Sequence, residues 1–264
     1  PEVSRLCLKN PNINIKKLKI NDLKNIFNSN KVFKLDIKEN LPEQINNFID
    51  IVFSNLLNKD TVFNNLLEII LSFYKIHNKT SFLQENKFSI FEKEKLKENN
   101  LLIQSQFLPK ICFKKNIDIT LRYHIICAKA AENTKYFVFT DEEFKTKYYE
   151  CYKNKFDKFI IKNKYILKNF FLNEFIKNID TLISSTDTFD NFIREVLYKI
   201  SISSFLTTCL AFNDNNPITN DDYIEVLSAI QKLTQNSQEK NILVTNFFKK
   251  IDKNNLFLRL FDIY

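Results

Sequence analysis

His124 and Cys127, with Cys112 upstream, are the residues of this chain that come nearest to a nucleophile and its base. Thiol catalysis needs an imidazole within hydrogen-bond reach of the sulfur. Around this pair Ile117, Ile119, Leu121, Tyr123 and Ile125 alternate with polar residues, which predicts a half-buried strand. Residues three apart on a strand face opposite sides, so that reading separates His124 from Cys127 and leaves a buried thiol and a histidine at the edge of the core.

A metal centre has little to build on. Cys7, Cys112, Cys127, Cys151 and Cys209 are odd in number and scattered through apolar stretches, and the histidines are His77 and His124 alone. Structural zinc is usually held by cysteines paired two to four residues apart, and no such pair occurs. The spacing reads as free thiols in a reducing compartment. The acids at Asp141, Glu142 and Glu143 read as helix-start electrostatics, and Asp214, Asp221 and Asp222 as turn and cap residues.

The densest cluster of side chains suited to binding runs over 144–171. Lys145, Lys147, Lys153, Lys155, Lys158, Lys162, Lys164 and Lys168 are interleaved there with Tyr148, Tyr149, Tyr152, Phe156, Phe159 and Tyr165. Cations beside stackable rings suit a single-stranded nucleic acid or a phosphate surface, and Lys145, Lys147, Lys153, Lys158, Lys164 and Lys168 are the candidate contacts. On a helical wheel most of the rings share one arc and the lysines lie opposite or at its edges, which equally describes a core-facing helix with a solvated back.

Composition narrows the field further. The 264 residues contain no glycine, methionine or tryptophan, against about eighteen glycines in an average chain of this length. Phosphate-cradling loops, dinucleotide fingerprints and nucleophile elbows all require glycine, because only glycine lets a ligand approach the backbone or adopts positive φ without strain. No cofactor is therefore expected. The net charge of +8 is carried almost wholly by lysine, with arginine only at 5, 122, 194 and 259, whereas base recognition leans on the planar arginine fork. The opening residues lack a basic-then-apolar signal pattern and no apolar run reaches membrane-spanning length, so the expectation is a soluble intracellular protein.

Helices supply the framework for these residues. Pro42 followed by Ile45, Phe48, Ile49, Val52, Phe53 and Leu56, and then Val62, Phe63, Leu66, Leu67, Ile70 and Phe73, predict two helices at three-and-four spacing. Residues 110–139 are predicted as a small antiparallel β element, with 136–139 as the second strand. Thr140-Asp141-Glu142-Glu143 carries the signature of a capping box opening a helix that continues through 165. Another helix is expected over 188–212, and Thr219 with Asp222 caps one ending at Leu233. Without glycine, asparagines such as Asn58, Asn78, Asn100 and Asn213 are expected at left-handed helix ends.

The expected architecture is mainly α: a bundle-like fold with a helical region over 1–109, the β element over 110–139 and a helical region over 140–264. The expected function is that of a non-catalytic subunit or adaptor contacting other proteins in a larger assembly, with apolar arcs such as 170–183 covered by another chain. Nonspecific nucleic-acid binding through 144–168 is the alternative, and a cysteine- or carboxylate-dependent enzyme the second alternative.

Overall fold

The computed structural model describes residues 9, 101, 104–106, 108–110, 112–113, 121–138, 140–182, 186–213 and 217–233. They form six α-helices: α1 (Leu121–Asn133), α2 (Asp141–Cys151), α3 (Asp157–Lys162), α4 (Lys164–Leu182), α5 (Thr186–Leu210) and α6 (Asn220–Leu233). A π-helical turn, Tyr152–Phe156, joins α2 to α3. The expected helices over 42–77 lie outside the described residues, as do Asn58, Asn78 and Asn100. The described residues belong to two compact units. One contains Lys9, the residues from 101 to 167 and those from 193 onward; the other contains 168–182 and 186–192.

The β element over 110–139 is not formed. No strand occurs among the described residues, and its proposed centre is the helix α1. Tyr123, Ile126, Cys127, Ala130 and Ala131 are buried at three-and-four spacing, the stripe of a core-facing helix. Alternation misleads here because two of its teeth, Leu121 and Ile125, are 76% and 51% exposed, while two of the five residues of the true stripe are alanines. Residues 136–138, read as the partner strand, lie in the turn after α1.

That turn is a Schellman motif made without glycine. The Tyr136 N–H donates to the Ala131 carbonyl (3.1 Å) and the Lys135 N–H to that of Glu132 (3.0 Å), so Lys135 occupies the left-handed position with φ of 47°. Among the described residues it is the sole positive φ, so the expected substitute, an asparagine, is not the residue used; Asn213 does not adopt it.

Both expected N-caps are present. The Thr140 hydroxyl accepts from the Glu143 N–H while the Thr140 N–H donates to Glu143 Oε2 at 2.9 Å, closing the capping box of α2. At α6 the Thr219 N–H donates to Asp222 Oδ2 at 2.9 Å and the Asp222 N–H to Thr219 Oγ1 at 3.2 Å, the same reciprocal pair with aspartate for glutamate.

The first unit is organised around α5, whose residues 198–209 are all buried. Ser203, Ser204 and Thr208 lie inside because each hydroxyl donates to the carbonyl one turn back, at 2.6, 2.9 and 2.7 Å. Lys199 is buried with them and pairs with Glu195 at 2.7 Å. The last carbonyls of α5 find donors on other elements: Asn133 Nδ2 to Leu210 (2.7 Å), Lys155 Nζ to Ala211 (2.6 Å) and the Cys151 thiol to Thr208 (3.5 Å). A lysine there also opposes the negative end of the helix dipole.

In the second unit Phe170, Phe171 and Phe192 are buried and the rings of Phe171 and Phe192 meet edge-on at 6.0 Å. The start of the arc 170–183, read from sequence as a surface for another chain, is thus covered within this one.

Candidate functional site

The rod from α2 through α3 holds most of the candidate contacts, and its rings and lysines part cleanly. Phe144, Tyr148, Tyr152, Phe156 and Phe159 are all buried. They form a continuous ladder with centroid spacings of 6.1, 6.1, 5.1 and 6.1 Å. Phe205 of α5 packs at a tilt against Phe144 and Tyr148 (6.4 and 5.4 Å), and Tyr223 of α6 meets Phe156 and Phe159 edge-on (5.5 and 5.8 Å). Such pairs contribute roughly 0.5–1.5 kcal/mol each beyond the area they bury. These rings are consumed by the core and cannot stack on nucleobases.

The π turn explains how a spacing of four residues stays on one face. In an unbroken α-helix each step of four turns the side chain by about 40°, so Phe156 would lie about 120° from Phe144. One residue per turn more, over Tyr152–Phe156, brings Phe156, Phe159 and Ile160 back to the core side.

The lysines distribute over the opposite side. Lys147, Lys153, Lys158 and Lys162 are exposed. Lys145 is half-buried in an ion pair with Glu142, and Lys153 lies 5.9 Å from the centre of the Tyr149 ring. Lys164 and Lys168 belong to α4, beyond the break at Asn163 and with Lys168 in the second unit. The exposed face also carries Glu142, Glu143 and Glu150, so the surface is one of alternating charge rather than a basic track. Glu143 titrates below the ordinary glutamate range, because it accepts hydrogen bonds from the Thr140 N–H and hydroxyl, with Lys147 lowering it further.

The thiols, scattered in sequence, converge in the fold. Cys112, Cys127 and Cys209 are buried and Cys151 half-buried, all in the first unit. The buried Tyr123 hydroxyl lies close to both Cys112 and Cys127. Burial pushes the Cys127 thiol up to about 12, against a smaller lowering by the neighbouring Tyr123 hydroxyl, and Cys151 up to about 11, against the pull of Lys155. Cys112 and Cys209 are raised well above the ordinary range, by burial first and neighbouring cysteines second. These sulfurs are protonated at neutral pH, the direction opposite to an activated thiolate.

Because α1 is a helix, His124 and Cys127 do lie within one turn of each other, contrary to the strand expectation. The Cys127 thiol is nevertheless buried, while the imidazole on the same helix is half-exposed. Among the described residues no three of His, Cys, Asp and Glu are placed to hold a metal ion. Asp222 is engaged as a cap and Asp221 in an ion pair with Lys9, while Asp214 lies outside the described residues.

The residues that sequence reasoning missed are at the α1–α2 turn. Phe137 and Val138 are 79% and 78% exposed. The turn's backbone bonds hold them in place, with the Tyr136 ring packed between Phe113 and Phe144 at 5.0 and 5.3 Å. The signal in the sequence is a four-residue apolar run, Tyr136-Phe137-Val138-Phe139, immediately before a helix cap, a pattern that fits a strand equally well. Among the described residues no helix is long and apolar enough to cross a membrane. Comparison with protein-family models, with curated proteins and with solved structures finds no match.

Proposed function

We propose that this chain acts as a non-catalytic helical subunit or adaptor whose contacts are with other proteins. The observation that carries the reading is the pair Phe137 and Val138, two large apolar side chains more than three-quarters exposed on a turn of defined backbone. Leaving an aromatic and a β-branched side chain in water forgoes roughly 1.5–3 kcal/mol of burial apiece, which a partner recovers on binding. Apolar anchors offered on a rigid element are what an interface centre requires, since little ordering entropy is lost when they dock.

The test is a photo-crosslinking amino acid at position 137 of the full chain in its native cell. A discrete protein adduct, lost when Val138→Asp is added, is expected. Labelling of nucleic acid instead, or of nothing, counts against the proposal.

A polyanion-binding reading retains Lys147, Lys153 and Lys158 as exposed cations but has lost the stacking rings to the core. It requires affinity for single-stranded nucleic acid that falls by roughly 0.7 decade per decade of salt for each phosphate neutralised. On the proposal made here, binding at physiological salt is undetectable by fluorescence anisotropy.

A further inference from the structure

We draw no further inference here: the strongest candidate, the cluster of buried thiols Cys112, Cys127 and Cys209 with half-buried Cys151 in the first unit, rests on the raised titration of its sulfurs alone, and among the described residues it forms no metal-holding group.

Discussion

Lys135 shows what the absence of glycine costs at a single position. Its left-handed backbone brings Cβ against the following carbonyl, a strain of about 1 kcal/mol that glycine lacks. Lys135→Gly is expected to raise stability by roughly 0.5–1 kcal/mol, read as a higher urea midpoint at unchanged slope. The caps make the opposite case: Thr140→Ala and Thr219→Ala should each lower stability by about 1 kcal/mol. Glu143 links its cap to pH. Its folded pKa is lowered, so its contribution is present above the ordinary carboxylate range and lost as the pH falls through the folded value. An NMR titration of the Glu143 carboxyl should give a midpoint below that of an ordinary glutamate, moving up in Thr140→Ala. Both caps were legible in sequence because a capping box is a local bargain among four consecutive residues. Lys135 was not, because a left-handed lysine leaves no compositional trace.

At the scale of the element, the π turn over Tyr152–Phe156 makes an unusual claim testable. A π turn amounts to one residue inserted into an α-helix, so deleting exposed Asn154 should regularise the rod and leave Phe144, Tyr148 and the shifted ladder on a single α-helical stripe. Helicity and cooperative unfolding should survive that deletion, with a stability change within about 2 kcal/mol. Deleting exposed Thr146 instead would rotate everything after it by about 100° and place the ladder in water, and the variant should not fold cooperatively. Amphipathic spacing announced these helices, but the break between α2 and α3 could not be read from it: a period of four residues fits a drifting α-helix and a π insertion equally. The same weakness turned α1 into a strand, since alternating Leu121, Tyr123 and Ile125 outweighed a true stripe made largely of alanine and cysteine.

At the scale of the whole molecule, α5 sets the stability. With 198–209 buried on every side, its ammonium and carboxylate at Lys199 and Glu195 have each other close by. Glu195→Ala removes a carboxylate paired with a buried ammonium and should lower stability in chemical denaturation, by up to about 3–5 kcal/mol. The buried thiols give a pH signature of their own. Their folded pKa values are raised, so the stability they contribute is complete below the ordinary thiol range and declines as the pH rises from about 9 toward the values near 11 and 12 at Cys151 and Cys127. Alkaline unfolding across that window is expected by fluorescence, with an earlier onset than in a variant carrying Cys127→Ala. Among the four described cysteines, alkylation at pH 8 should be slow and begin at half-buried Cys151.

From its own order of residues the chain determined where the capped helices α2 and α6 begin, because a cap is a local property of a few consecutive residues. Only the tertiary structure decided that five rings of the rod are core rather than a stacking platform, that scattered cysteines meet around Tyr123, and that Phe137 and Val138 are left in water. Those outcomes depend on which elements pack against which. Burial is a property of neighbours distant in sequence, and apolar residues of one kind serve a core and a contact surface alike.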